Sequence, residues 1–353
     1  MAIVVDAMGG DHAPETIVSG AVFAAKEKKI PVILVGDEQR LHALLDEKKS
    51  VSSLVSVRHA SQVVGMSETP SAAVRRIKNS SIRVGFDLVK RGEADAIVSA
   101  GNSGATMAVA MFVLKKMQGV DRPAIVTFHP TVKGFCLLLD AGGNVDCKPF
   151  HLVQFGIMGS IFAGRVLKKE NPRVGVLSNG LEESKGNELT RETHLIMKRC
   201  GLNYIGFVEG RDVYEGTADV VVCDGFVGNV GLKMSEGLGE VLGRIFQEEI
   251  RKSLRARLGY LLIKNVFREV AKRADYSEYG GAPLLGINGT CVICHGNSSA
   301  KAITNAIVLA KNLGESQFNR FLMEGLVKNQ ELLKLSQRQV MRFLDQLKEK
   351  IIH

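Results

Sequence analysis

The sequence predicts an α/β protein with a three-layer, Rossmann-like architecture, in which helices cover both faces of a mostly parallel sheet. Short apolar runs rich in β-branched residues alternate with amphipathic stretches of helix length along the 353 residues. Most of these runs are apolar throughout, which is typical of parallel strands buried on both faces. The chain also has 37 Gly and only 6% aromatic residues, a composition that suits many tight turns between strands and helices.

The individual elements follow from these runs. Ten runs are predicted as strands, and in chain order they are Ile3–Asp6, Val32–Gly36, Leu54–Val57, Ala94–Ser99, Ala124–Phe128, Phe135–Asp140, Arg173–Ser178, Tyr204–Val208, Val220–Asp224 and Thr290–Cys294. Helices are predicted between most of them, for example over Thr16–Lys28, Arg83–Arg91, Ser103–Lys116 and Pro149–Lys168. The short connection HPTVKG between the fifth and sixth strands predicts a hairpin.

The chain shows no repeat and no clear linker, so we expect one α/β domain over residues 1–330 with a helical protrusion at about 245–275, followed by a helical C-terminal extension over 331–353. The uncharged stretch from Ala96 to Leu114 is nearly long enough to span a membrane, but AGNSGAT within it favours a strand, a turn and a helix start. The first residues lack the basic region of a signal peptide, which predicts a cytoplasmic protein with reduced cysteines.

The net charge of +9 is concentrated in one segment. Residues 251–273 carry eight Lys or Arg and one Glu, hence +7, and a nucleic-acid-binding coat would spread the charge more widely. An apolar stripe at helical spacing lies within this segment, and the predicted membrane-binding residues in it are Leu258, Leu261, Leu262, Val266 and Phe267. The segment is too charged to span a bilayer. It is therefore an ordinary core helix, a dock for an acidic partner, or a peripheral anchor to an anionic membrane surface.

Polar side chains and glycines follow five of the predicted strands. In chain order they are Asp6 with Gly9 and Gly10, Asn102 with Ser103, Lys185 with Asn187, Asp224 with Asn229, and His295. Ligands bind at the carboxyl ends of strands in such sheets, so we expect these loops to form one site. Each has a simpler interpretation: Asn102 as a helix N-cap, Lys185 as a solvated lysine, His295 as a buried core histidine. Metal-binding, P-loop and nucleophile-elbow motifs are absent from the sequence, so no metal or cofactor is predicted.

These loops, taken together, resemble the bacterial phosphate acyltransferase family. The matching motifs are DAMGGD, SAGNSGA, RPAI, DAGGNVDCKP, ESKGNEL, DGFVGNV and YGGAPLLGINGTCVICHG, in order from residue 6 to about 313. One departure is Gly143, where the family pattern has Ala. The resemblance implies a fold similar to phosphotransacetylases and to isocitrate and isopropylmalate dehydrogenases.

The resemblance also implies an activity and its partners. The implied reaction converts acyl carrier protein (ACP) loaded with a fatty acyl group, plus inorganic phosphate, into acyl phosphate and free ACP for phospholipid synthesis. A phosphotransacetylase-like enzyme acting on acyl-CoA is the alternative. A homodimer, peripheral membrane association and a membrane-bound glycerol-3-phosphate acyltransferase as consumer are implied as well. Apolar residues recur at helical spacing near the C-terminus: Phe318, Leu322, Leu326, Leu332, Leu333, Phe343 and Leu347. This spacing is as consistent with a dimer interface as with packing on the chain's own core.

The predicted roles follow from this chemistry. Lys185 would neutralise the phosphate, and Asn229 would donate to the negative oxygen that forms at the thioester carbonyl, a role that Asn102 or a backbone N–H could also take. His295 is a weaker prediction as general acid, because a thiolate leaves readily. The predicted phosphate- and substrate-binding residues are Asp6, Gly9, Gly10, Asn102, Ser103, Asn187 and Asp224.

Overall fold

The computed structural model describes residues 2–47, 53–327 and 329. The strands are β1 Ile3–Asp6, β2 Val32–Gly36, β3 Val55–His59, β4 Ala96–Ser99, β5 Ala124–Thr131, β6 Gly134–Leu139, β7 Val174–Leu177, β8 Tyr204–Val208, β9 Val220–Val222, β10 Ala282–Leu285 and β11 Thr290–Ile293. The helices are α1 Glu15–Lys28, α2 Glu38–Glu47, α3 Pro70–Arg75, α4 Ser81–Lys90, α5 Ser103–Val113, α6 Pro149–Arg165, α7 Glu188–Met197, α8 Gly210–Glu215, α9 Gly225–Lys252, α10 Leu254–Ala274 and α11 Ala300–Glu315, with further helical residues at 318–327.

The strands form one sheet in the order β3-β2-β1-β4-β11-β10-β5-β6-β9-β7-β8. β3, β2, β1, β4 and β11 are parallel to one another, and so are β6, β9, β7 and β8. The predicted hairpin is β5–β6, and it is antiparallel. The predicted mostly parallel α/β sheet is therefore confirmed, but its two parallel halves run in opposite directions.

β10 joins the two halves and was not predicted, because APLL is short and contains a proline. It pairs through Ala282 with Ile293 of β11, and its last two residues pair with the first two of β5. Leu139, the last residue of β6, lies opposite Val126 of β5. The carboxyl ends of β11 and β6 therefore reach nearly the same level of the sheet from opposite directions. As a result, the loops after β1, β4 and β11 and the loops after β6 and β9 lie near the same place, where the two halves of the sheet meet.

Helices pack on the sheet through buried apolar side chains. Phe86 of α4, and Phe155 and Phe162 of α6, are fully buried, and burying an aromatic side chain contributes about 2–3 kcal/mol each. α1 packs against α11, where Gly20 allows close approach because an added Cβ there would lie 2.5 Å from the Ala300 carbonyl oxygen. The core thus fixes the strand ends that carry the loops.

α9 and α10 form a helical protrusion, which we define as residues 237–274 because the α9 residues are continuously exposed over 237–249. The sequence predicted a protrusion at about 245–275. Ser253 separates the two helices because its backbone is extended. Its side chain caps α10 by accepting a hydrogen bond from the Ala256 N–H. None of the α10 residues whose burial is described is buried, so the interpretation of this segment as a core helix is wrong. Leu262 is 87% exposed, whereas Phe267 is half-buried against Phe246 and Tyr260.

The start of the C-terminal apolar series packs on the chain's own core. Phe318, Leu322 and Leu326 are buried, and the Phe318 ring meets Phe162 edge-on. These three side chains are therefore not available for a dimer interface. Leu332, Leu333, Phe343, Leu347 and the predicted 331–353 extension lie outside the described residues. Within the described residues, no helix has the combined length and apolarity that crossing a membrane requires.

Candidate active site

A cavity of about 430 Å³ lies where the two halves of the sheet meet, and we call it the junction cavity. Its lining includes Gly101, Ser103, Gly142, Asn229, Lys233, Tyr279 and His295, together with the apolar side chains Met66, Ile125, Phe128, Leu232 and Ile293. Three of the five predicted loops therefore contribute to one cavity: those after β4, β9 and β11. The loop after β6, which sequence reasoning did not select, contributes as well.

The loop after β1 packs against the loop after β4, which lines the junction cavity. Asp6 is buried and accepts a hydrogen bond of 2.7 Å from the Ser99 hydroxyl, which in turn accepts one from the Gly101 N–H. Burial raises the pKa of Asp6. An added Cβ at Gly9 would lie 2.8 Å from the Gly101 nitrogen, so only glycine fits there. Asp6, Gly9 and Gly10 are not among the residues that line the junction cavity, and the contacts above connect Asp6 and Gly9 to the neighbouring loop at Gly101.

Asn102 is an N-cap, as its simpler interpretation had it. Its side-chain oxygen accepts from the Ala105 N–H at 3.0 Å, and its amide donates to the Met66 and Glu68 carbonyls. The amide has no donor left for an oxyanion. Ser103 follows, exposed in the junction cavity at the N-terminus of α5. Within the described part of the chain, the N–H groups of Ser103 and Gly104 have no acceptor, which leaves two donors and the positive end of the helix dipole at the cavity.

The loop after β6 is organised by Asp140, a residue not predicted as part of the site. Its carboxylate is fully buried and accepts from the N–H groups of Ile125, Gly143 and Asn144 and from the Asn144 side chain. Burial raises the pKa of Asp140. This network holds Gly142, which has φ of 126° and packs against the Asn229 side chain. The DAGGNVDCKP motif contained the signal, a strand-end aspartate before two glycines.

α9 brings its first turns to the cavity. Asp224 caps it, accepting from the Phe226 and Val227 N–H groups at 3.0 Å each. Asp224 therefore serves as a helix cap and is not among the residues that line the junction cavity, so its predicted phosphate- or substrate-binding role stays a prediction. Asn229 and Lys233 lie one turn apart on the same face and both line the cavity. Lys233 is a cation in the cavity that sequence reasoning missed, because it lies within a helix and not at a strand end.

The loop after β7 contributes no residue to the lining of the junction cavity. Lys185 is exposed and is not among the cavity-lining residues. Asn187 caps α7, accepting from the Thr190 N–H at 2.9 Å while the Thr190 hydroxyl accepts from the Asn187 N–H. The structure thus does not bring Lys185 and Asn187 together with Asn229 and His295.

His295 is exposed and lines the junction cavity, so it is not a core histidine. Its Nδ1 accepts from the Asn297 N–H at 3.5 Å. Cys294 beside it is buried, and burial raises the pKa of its thiol to about 12. Because the thiolate is the nucleophilic form, Cys294 is unsuited to form an acyl-enzyme. Among the described residues, no cluster of His, Cys, Asp or Glu is arranged to hold a metal ion.

The chain has an α/β fold similar to that of solved phosphotransacetylases. It matches a phosphotransacetylase from Streptococcus pyogenes with a TM-score of 0.60 and 18% identity, covering 89% of this chain and 94% of that one. It also matches a 4-hydroxythreonine-4-phosphate dehydrogenase from Klebsiella pneumoniae, with a TM-score of 0.52 and 15% identity over 89% of this chain and 99% of that one. Identities this low establish the fold alone.

The sequence comparisons define the family. Residues 1–321 match the family model described as fatty acid synthesis protein. The chain is 58% identical to the phosphate acyltransferase of Geobacter sulfurreducens over 325 residues, 92% of this chain and 94% of that protein. It is also 58% identical to the phosphate acyltransferase of Syntrophotalea carbinolica over 331 residues, 94% of this chain and 95% of that protein. The chain belongs to the phosphate acyltransferase family, as the motifs indicated, and it is an enzyme of this type.

Proposed function

We propose that the enzyme transfers a fatty acyl group from acyl-ACP to inorganic phosphate, giving acyl phosphate and free ACP for phospholipid synthesis. The observation that carries this proposal is the junction cavity, in which anion-binding donors and an amide side chain face apolar walls. A phosphate and an acyl thioester need these two environments next to each other.

Phosphate would bind at the N-terminus of α5. The N–H groups of Ser103 and Gly104 supply donors, and the helix dipole favours negative charge there. Lys233 lines the same cavity and would neutralise a second charge of the dianion. Lys185 remains a prediction for this role from the sequence, although its loop lies outside the cavity.

The acyl transfer would proceed by direct attack. A phosphate oxygen bonds to the thioester carbonyl carbon, the carbonyl oxygen becomes negative, and the carbon–sulfur bond then breaks to release the carrier thiolate. Asn229 and His295 both line the cavity, so the Asn229 amide would donate to that oxygen and His295 would donate a proton to the leaving sulfur. Holding the two reactants side by side contributes roughly 7–11 kcal/mol of barrier reduction, so no covalent acyl-enzyme is needed.

The choice of ACP over CoA as carrier rests on charge. The segment 251–273 carries +7 on an exposed helix, and ACP is an acidic protein. We expect a higher kcat/KM for palmitoyl-ACP than for palmitoyl-CoA. Reversing Arg255 and Arg268 to Glu should lower kcat/KM for palmitoyl-ACP at least tenfold, with less effect on palmitoyl-CoA. Equal or better use of palmitoyl-CoA would favour the phosphotransacetylase-like alternative.

We further propose that the enzyme works as a homodimer at the cytoplasmic membrane surface. Exposed apolar side chains on the protrusion, flanked by cations, support reversible binding to anionic lipid, since each cation near such a surface adds about 1 kcal/mol. A membrane location suits the chemistry, because acyl phosphate is labile and the proposed consumer, a glycerol-3-phosphate acyltransferase, lies in the bilayer.

A further inference from the structure

Thr127 interrupts the apolar part of β5, between Val126 and Phe128. The residue lines the junction cavity and is only 9% exposed. Its hydroxyl Oγ1 is buried and has no hydrogen-bond partner in the described part of the chain. Buried polar atoms in folded proteins nearly always have a partner, so an unpaired hydroxyl at a cavity wall indicates a partner that is not part of the protein.

The sheet opens beside this residue. β10 pairs with β5 at Leu284 and Leu285, but at Ala282 it has turned to pair with Ile293 of β11. Continuing the register from Ile125 would place Ala282 opposite Thr127, so the two strands separate at the level of the hydroxyl. Ala282, Ile293 and Thr127 all line the junction cavity. The junction cavity therefore lies where a neighbouring strand would otherwise continue.

A second unpaired polar atom lies on the same face of β5. The three buried side-chain atoms without a partner among the described residues are Thr127 Oγ1, His129 Nε2 and His194 Nε2. Thr127 and His129 are two residues apart, so they share a face of the strand. Burial lowers the pKa of His129 to about 4, which leaves its ring neutral at pH 7.

We propose that Thr127 contacts the substrate, its hydroxyl donating a hydrogen bond to an oxygen that carries negative charge in the reaction. That oxygen belongs either to the bound phosphate or to the thioester carbonyl under attack. This inference rests on the proposed function, because it takes the junction cavity as the site of acyl transfer. The Thr127 hydroxyl would be a third kind of hydrogen-bond donor in the site, beside the backbone N–H groups of α5 and the Asn229 amide.

The test uses two substitutions that separate the hydroxyl from the shape of the side chain. Thr127→Val keeps the shape and should lower kcat/KM about 10- to 100-fold, as expected for losing a hydrogen bond to a charged acceptor. Thr127→Ser keeps the hydroxyl and should remain within about threefold of the unchanged enzyme. A rise in KM for phosphate would identify the phosphate oxygen, and a fall in kcat alone would identify the carbonyl oxygen.

Thermal unfolding without substrate separates this role from a structural one. Because Thr127→Val removes a buried hydroxyl that no protein group satisfies, it should unfold at the same temperature as the unchanged enzyme or higher. The matched control is Thr193→Val, whose buried hydroxyl donates to the Leu189 carbonyl outside the cavity; its activity should stay within about twofold.

Two results would overturn the proposal. One is Thr127→Val with unchanged kcat and KM. The other is a Thr127→Val enzyme that loses stability together with activity while Thr127→Ser is equally impaired. If the unchanged enzyme itself shows no phosphate-dependent acyl transfer, the proposed function falls and this role falls with it, so the two failures are distinguishable.

Discussion

At the residue scale, buried carboxylates hold the loops and exposed groups face the cavity. Asp6 and Asp140 each accept a hydrogen bond from a neighbouring strand, Asp6 from Ser99 of β4 and Asp140 from Ile125 of β5. Asn229, Lys233 and His295 line the junction cavity. The chemistry therefore depends on a few side chains whose positions are set by groups that no ligand touches.

Substitutions of Asn229 and His295 test which side chains donate to the carbonyl oxygen and to the leaving sulfur. Asn229→Ala should lower kcat about 10²–10³-fold, as loss of one preorganised oxyanion donor does. His295→Ala should cost less, because a thiolate leaves without much help. Steady-state kinetics with palmitoyl-ACP would measure both, and Asn203→Ala, outside the cavity, is the matched control. Near-normal turnover of a folded Asn229→Ala enzyme would remove Asn229 from the site.

Substitutions of Lys185 and Lys233 distinguish between two positions at which the phosphate could bind. The cavity geometry favours Lys233, so Lys233→Ala should raise KM for phosphate at least tenfold and Lys185→Ala less than threefold. Phosphate saturation curves at fixed acyl-ACP would measure this. The reverse order would place the phosphate beside the loop after β7 and uphold the prediction from the sequence.

Asp219 is expected to link stability to acid pH. Its burial raises its pKa, but hydrogen bonds from Arg173 and Lys169 outweigh this and lower the pKa to about 2. The unfolded chain, with an ordinary pKa near 3.9, binds more protons between these values, so this stability is present above about pH 4 and is lost as pH falls toward 2. Lys169 and Arg173 are partly exposed, so solvent screens their interaction with Asp219. We therefore expect Asp219→Asn to lower the free energy of unfolding by about 1–2 kcal/mol at pH 6 and by less at pH 3. Urea unfolding at both pH values measures it, and an equal cost at both would contradict it.

Several polar loop residues were predicted as ligands but are caps. Asn102, Asn187 and Asp224 have the same sequence pattern whether they cap a helix or face a substrate, and only the hydrogen bonds distinguish the two. Lys233 was missed for the opposite reason. It lies two turns into α9, and the sequence does not reveal which face of a long helix meets a cavity.

At the scale of elements, the strands were predictable and their directions were not. Apolar runs with β-branched residues located ten of the eleven described strands, since their burial on both faces leaves a strong pattern. The reversal between the halves depends on the β5–β6 hairpin and on β10, which pairs only two residues with each half. Long-range pairings of this kind leave no periodic signal in the sequence.

The exposed face of α10 predicts membrane binding. Leu261 and Leu262 are 65% and 87% exposed, so replacing both by Glu should abolish flotation with anionic liposomes while leaving kcat for acyl transfer in solution unchanged. The two added negative charges should raise only the KM for the acidic carrier protein. The matched control replaces Phe23 and Val132, also exposed, by Glu and should still float. A Leu261→Glu, Leu262→Glu enzyme that floats as before would place the anchor elsewhere.

At the scale of the whole molecule, unpartnered apolar surface predicts a dimer. Val241, Leu242, Ile245 and Phe246 on α9 are all at least 42% exposed, and contiguous apolar patches of this kind usually mark interfaces. Light scattering at micromolar protein should give twice the chain mass, and Leu242→Glu should shift it toward the monomer. A monomer mass for the unchanged protein would refute the dimer.

The central claim, direct acyl transfer to phosphate, is tested most directly by product stoichiometry. Purified enzyme is mixed with palmitoyl-ACP and inorganic phosphate in the presence of EDTA, and acyl phosphate and free ACP thiol are both measured. We expect one acyl phosphate for each thiol released, and no thiol release when phosphate is omitted. Thiol release without phosphate, with free fatty acid as the product, would contradict the account.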